Sequence, residues 1–303
     1  MSIAEFLRRP NLARFPFLFI VTYGRSGSTL LQGILNSVPG YCIRGENYST
    51  LFYLFVASEH LGEAHRTFGR QESDAAASWF GADRLDPKAF SERLADAFLD
   101  TCLQPGMDIR CVGFKEIRYL PSQIPDEMFP AYLDFLQVVF PGAGLVFNVR
   151  DAAATASSGW WQYRDPKLIT SELISTAERF KSYAAGRRNC FLFSYDALLA
   201  EPKYCKTLFE FLGESFDSEA LERVLAGATA MKCFAARTAN LPALRAPSRR
   251  ANHSASKRES SPTCAEVWRQ KRQRMMNCLR RKPRWPSASR NSGRWCRREM
   301  RSC

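Results

Sequence analysis

Residues 20–37 read IVTYGRSGSTLLQGILNS. Ile20 and Val21 end an apolar run that passes through a Gly/Ser turn into a helix. Its apolar positions Leu30, Leu31, Ile34, Leu35 and Val38 recur at helical spacing until Pro39 and Gly40 stop it. A strand that turns through glycine into a helix offers an anion backbone N–H groups and the positive end of the helix dipole. Gly24 and Gly27 permit the tight turn, the backbone of Ser26, Gly27, Ser28 and Thr29 supplies donors, and the hydroxyls of Ser28 and Thr29 add to them. Arg25 places a permanent cation inside the turn. A nucleotide triphosphatase loop reads GxxxxGK[ST], whereas here Thr22 stands at the first glycine and Ser28 at the lysine. The stretch is thus an anion cradle without the triphosphatase lysine. A glycine turn with no ligand is the other reading of the motif taken alone.

Outward from this turn, apolar runs at 17–22, 111–114, 144–149 and 190–195 are short and rich in Val, Ile and Phe, as buried parallel strands are. Helical periodicity falls around 88–102, 127–139, 168–185 and 204–212. The alternation predicts an α/β fold: a doubly wound, mostly parallel sheet with a P-loop-like strand–turn–helix and helices on both faces. Ligands of such sheets sit beyond the carboxyl ends of the strands, where 23–29 lies. Segment 58–86 mixes Gly, Ser, His and Asp around Trp79 and Phe80 and reads as irregular, either a lid or acceptor loop or a plain surface insertion.

Charge divides the 303 residues in two. Residues 241–303 hold 18 of the 43 Lys+Arg but 3 of the 30 Asp+Glu, so all of the net +13 resides there and residues 1–240 are slightly acidic. That tail has no Phe, Ile, Tyr or Asp and no apolar periodicity, yet it holds three of the six Trp and four of the ten Cys. The composition predicts a domain over 1–240 and a basic, low-order tail over 241–303. The tail reads as an arm for nucleic acid or acidic glycans, as a cover for the site, or as an out-of-frame product. Nucleic acid is disfavoured, because arginine interleaved with aromatics, as in RKPRWPSASRNSGRWCRR at 281–298, is a weak signal alone. The cysteines show no CxxC or zinc spacing and read as reduced thiols. FPFLFIV at 15–21 is far short of a membrane span, and a cytoplasmic protein is expected.

The motif GRSGSTLL at 24–31 resembles the 5′-phosphosulfate loop of the sulfotransferase superfamily, whose donor is 3′-phosphoadenosine 5′-phosphosulfate, PAPS. The resemblance extends over about 15–215 and implies a second anion site for the 3′-phosphate. LVFNVRDAAATASSGWW at 145–161 matches it. Arg150 ends a strand, Asp151 is placed to cap the next helix, and Ser158 follows eight residues on, expected in the second helical turn. The family pair at this separation implies that Arg150 and Ser158 hold the 3′-phosphate; read alone, Arg150 could equally pair with Asp165. Tyr195 and Asp196, in FSYDALLAEP at 193–202, resemble a further family element and are expected to be structural.

Sulfuryl transfer requires a base for the acceptor hydroxyl and cations for the charge that builds on the leaving phosphate. The resemblance implies Glu46, in YCIRGENYS at 41–49, as the base, with Asn47 beside it, and Lys115, in CVGFKEIRY at 111–119, as a cation at the sulfuryl group. The bland alternatives pair Glu46 with Arg44 and Lys115 with Glu116. The implied set is then Glu46, Lys115 and Arg25 for the chemistry, with Gly24, Arg25, Ser26, Gly27, Ser28, Thr29, Arg150 and Ser158 for the donor and no metal. Trp160 and Trp161 are expected near the acceptor channel, at least one of them in the core. The implied acceptor is a hydroxyl on a carbohydrate or glycoconjugate. A non-catalytic PAPS- or glycan-binding protein and a P-loop kinase are the competing classes.

Overall fold

The computed structural model describes residues 1–70 and 74–227. The tail at 241–303 lies outside the described residues. In chain order the described elements are helix Ile3–Leu7 (α1), strand Phe17–Val21 (β1), helix Ser28–Asn36 (α2), strand Tyr41–Arg44 (β2), and helices Thr50–Phe68 (α3) and Pro87–Phe98 (α4). Strand Cys111–Glu116 (β3), helix Phe129–Val139 (α5), strand Gly144–Val149 (β4), and helices Ala152–Ala156 (α6) and Pro166–Ala184 (α7) follow. Strand Cys190–Ser194 (β5) and helices Tyr195–Ala200 (α8) and Cys205–Leu212 (α9) come next, and residues 218–227 are again helical.

The five strands form one sheet in the order β2-β3-β1-β4-β5. Every pairing is parallel, so the sheet is wholly rather than mostly parallel. β1 is central and buried on both faces, and its alternating side chains feed two separate cores. Phe17, Phe19 and Val21 join residues of α3, α4, α5 and α7 on one face. Leu18 and Ile20 join residues of α2, α8 and α9 on the other. The first core is aromatic: Phe19 meets Phe114 at 4.8 Å and Phe140 at 5.2 Å between ring centroids. Each such ring taken out of water contributes roughly 1.5–3 kcal/mol. The sheet is therefore doubly wound, and the chain reverses direction of winding beside β1, the position at which such folds open a crevice.

Several expectations change. β2 is a four-residue edge strand in which only Tyr41 and Ile43 are buried, too short for its alternation to stand out. The segment expected to be irregular from 58 is helical to Phe68: α3 buries Leu51, Phe52, Phe55 and Val56 in its first half, then Ser58 and Gly62. Its second half lacks an apolar stripe, and Ser49, left-handed at φ 61° before it, makes no side-chain cap, although Asn47 Oδ1 accepts from Thr50 N at 2.9 Å. The remainder, 74–86, is turns around a 3₁₀ turn at Ala82–Arg84. Helix α4 runs on into a π turn, Leu99–Leu103, and together they fill the helical stretch read at 88–102. Among the described residues no helix is long and apolar enough to cross a membrane, and the five described cysteines are free.

Candidate functional site

The carboxyl ends of β1, β3 and β4 lie side by side, and each delivers a residue singled out by the sequence. After β1 the chain turns through Arg25 at φ 69° and Gly27 at φ 82° into α2. Both are left-handed, which glycine adopts without cost and arginine does not. Gly27 has a second reason to lack a side chain: a Cβ would sit 2.1 Å from the ring of Tyr195, which is buried beneath the loop. No side chain caps α2; the Leu30 and Leu31 N–H groups donate to the Gly27 carbonyl. Ser28 is buried at the helix start while Thr29 and Arg25 are exposed.

The loop is braced from beneath by β4. Asn148, fully buried, donates from Nδ2 to the Ser26 carbonyl at 3.0 Å and to Ser26 Oγ at 2.9 Å. Thr22 Oγ1 lies 2.7 Å from Ser26 Oγ and donates to the Asn148 carbonyl at 2.8 Å. The Ser26 hydroxyl is thereby turned into the protein, leaving its backbone as the part of Ser26 available to a ligand. Tyr23 adds a further tie: its hydroxyl accepts from Arg150 N and donates to Arg150 O, both at 2.9 Å. Burial pushes the Tyr23 phenol up to about 12, the hydrogen bond from the Arg150 backbone partly opposing it.

Arg150 leaves β4 just as expected of a strand-end arginine, but its partner is not Asp165, which instead caps α7. Its Nη1 donates to the Arg25 carbonyl at 3.1 Å, its guanidinium lies 5.0 Å from the Tyr195 ring centroid, and its Nε is buried with no hydrogen-bond partner. Asp151 caps α6 through Ala154 N and itself donates its N–H to Asp196. Helix α6 ends at Ala156, so Ser158 is not in a second helical turn; it stands at the head of a 3₁₀ turn, Gly159–Tyr163. From there Ser158 Oγ accepts from Arg25 Nε at 3.3 Å. Residues from the first and second anion motifs thus meet.

The same turn delivers the tryptophans to different places. Trp161 is buried and donates from Nε1 to the Gly24 carbonyl at 2.8 Å. Trp160 is half exposed, its ring so close over Gly24 that a Cβ there would lie 2.3 Å from it, with the Arg25 guanidinium 5.7 Å from the ring centroid. Gly24 is required by this close approach.

At β3, Lys115 donates to Glu46 Oε1 at 3.0 Å. Neither bland pairing forms: Arg44 is spent on the carbonyls of Leu103 and Gln104, and Glu116 on other groups. The buried Glu116 carboxylate accepts from the backbone N–H of Asn47, Ser49 and Ile117 and pairs with Arg118, so it shapes the turn that carries Glu46. Lys115 is 8% exposed and Glu46 35%, which leaves the carboxylate open to a solute. Glu46 Oε2 carries no hydrogen bond among the described residues, and Asn47 Nδ2 is buried without a partner. Among the described residues no cluster of His, Cys, Asp and Glu is placed to hold a metal ion.

Sequence reading missed Thr22, Tyr23, Asn148 and Glu116. Asn148 carried a signal, a lone amide inside the apolar run LVFNV. Thr22 and Tyr23 carried none, since their role depends on contacts with a segment some 126 residues away.

Solved structures with a similar fold include the sulfotransferase domain of the Synechococcus PCC 7002 olefin synthase, 22% identical over 71% of this chain and 78% of that one, at TM-score 0.44. The Mycobacterium avium sulfotransferase STF9 is 13% identical over 75% and 70%, at TM-score 0.39. Mouse sulfotransferase SULT7A1, complexed with PAP, is 12% identical over 73% and 65%, at TM-score 0.37. No curated protein matches the chain. The family model described as the Sulfotransferase family matches residues 16–218, a span that contains every site residue described above, and the chain belongs to that family.

Proposed function

We propose that this protein is a cytoplasmic, PAPS-dependent sulfotransferase acting on a hydroxyl, with a carbohydrate or glycoconjugate as the acceptor class. The observation that carries the reading is the convergence of two anion-binding segments and a carboxylate–ammonium pair on the ends of three adjacent strands. The chain's own groups fit a donor with phosphates at both ends: Arg150 has a buried Nε without a partner, and α2 begins uncapped. Arg150 and Ser158 would hold the 3′-phosphate. Arg25 and the backbone of 26–29 would hold the 5′ group. PAPS supplies the sulfuryl group on a phosphate leaving group, and no metal is needed.

Glu46 Oε2 accepts the acceptor's hydroxyl proton as its oxygen bonds to sulfur and the sulfur–oxygen bond to the 5′-phosphate breaks, leaving PAP. Lys115, held at 3.0 Å from the same carboxylate, has further N–H donors to set against the developing charge. Catalysis is then positioning and charge stabilisation rather than covalent chemistry on the protein. The carbohydrate assignment rests on the Arg-Ser-Gly-Ser form of the loop.

Transfer of radiolabelled sulfate from PAPS to a panel of sugar, phenol and alkyl hydroxyls tests this. Glu46→Gln should lower turnover by about 10²- to 10⁴-fold while leaving PAP affinity within a few-fold of wild type. If PAPS binds but wild type and Glu46→Gln are equally inactive, the protein is a binder and not an enzyme.

A further inference from the structure

The register of β1 and β4 ends at Val21 and Phe147, one residue short of the site on both strands. Beyond that point the strands are joined by the Tyr23–Arg150 hydrogen bonds already described and by a closed circuit through Thr22, Ser26 and Asn148. The Thr22 hydroxyl faces the Asn148 carbonyl at 2.8 Å, and a carbonyl only accepts, so the Thr22 proton is committed there. The 2.7 Å contact between Thr22 Oγ1 and Ser26 Oγ must then take its proton from Ser26. Asn148 Nδ2 closes the circuit by donating to the Ser26 carbonyl and hydroxyl, with Thr22 Oγ1 also 3.4 Å away. Because the Ser26 carbonyl needs a donor, the amide can face only one way, and its Oδ1 is left buried with no partner.

Every donor in this circuit is committed within it. Asn148 lies two residues before Arg150 on the same chain and touches the loop at both of its ends, Thr22 and Ser26. Its amide bonds the carbonyl and hydroxyl of Ser26 and makes no bond to Arg150 or Ser158. We propose that Asn148 is a positioning residue that fixes the spacing between the loop that takes the 5′ group and the Arg150–Ser158 pair that takes the 3′-phosphate. The inference rests on the donor reading above and deepens it. A ligand with phosphates at both ends gains over one with a single phosphate only as far as the two sites are held at the matching separation, which is the role of an effective concentration. Loss of the circuit should therefore penalise a two-phosphate ligand more than a one-phosphate ligand.

The full chain and its Asn148→Leu and Thr22→Val variants are titrated calorimetrically with PAP and with adenosine 3′-monophosphate. The quantity read is the ratio of the two affinities. In wild type PAP binds the tighter of the two; in Asn148→Leu that ratio should fall at least fivefold, and in Thr22→Val, an isosteric change that opens the same circuit, it should fall in the same direction. General destabilisation lowers both affinities together and leaves the ratio unmoved. An unchanged ratio in variants with wild-type circular dichroism overturns the positioning role, as does loss of the fold in both variants. If wild type binds no PAP, the donor reading fails first and the positioning role falls with it.

Discussion

In the proposed donor site Arg150 holds the 3′-phosphate with a planar fork that is committed by Nη1 to the Arg25 carbonyl and still presents a buried Nε. Arg150→Ala should weaken PAP by ~1.5–3 kcal/mol, roughly 10- to 100-fold, in titration calorimetry. Arg150→Lys should recover only part of this, since an ammonium cannot make the two directed bonds. Tyr23 offers a prediction in pH. Its folded phenol titrates near 12 against an ordinary value of 10, so the neutral form is the one the fold favours. The stability it confers is complete below about pH 10 and is lost as pH rises toward about 12, amounting to about 2–3 kcal/mol. Urea unfolding of wild type and Tyr23→Phe from pH 9 to 12 should show the gap between them closing over that interval; a constant gap would refute it. At this scale the sequence displayed the cations and Glu46 well, because each stands in a motif. It concealed the buried Thr22 and Tyr23, whose hydrogen bonds join β1 to β4 and leave no trace in local spacing, while Asn148 showed only as a lone amide in an apolar run.

Among the elements, the β1–α2 turn is the most demanding. Gly27 combines φ 82° with a Tyr195 ring where a Cβ would go. Gly27→Ala should cost ~1–3 kcal/mol by thermal or urea unfolding, the left-handed strain and the displaced ring adding to one another, and PAP affinity should fall with it. Gly33, on α2, whose Cβ would meet only Val224 at 3.4 Å, is the control, and Gly33→Ala should leave stability within about 1 kcal/mol. This turn was legible because strand, glycines and helix are contiguous. α3 was not, since its apolar stripe fades after Val56 and Ser49, the residue before it, does not cap it. The π turn after α4 was likewise invisible, because it continues the helix without a Gly or Pro to mark the change.

For the whole molecule, the central strand β1 decides the layout: its two faces divide the helices between two cores, and its carboxyl end sets the site at the crevice. Alternating strands and helices made this architecture readable from sequence. Charge is distributed on the same scale, with 18 of 43 basic residues in the last 63 positions. We expect the full chain to be retained on heparin at physiological salt and a chain ending at residue 240 to elute earlier, with PAP affinity unchanged within twofold. A fall in PAP affinity on truncation would instead tie the tail to the donor site.

The tie between Thr22 and Asn148 spans 126 residues of chain. During synthesis the β1–α2 turn emerges long before the strand that braces it, so an unfinished chain holds the motif but not the candidate site. The proposed donor affinity is thus a property of completed topology, and a bound donor would act as a clasp on the finished sheet, favouring the folded chain by mass action without guiding the early steps that build it.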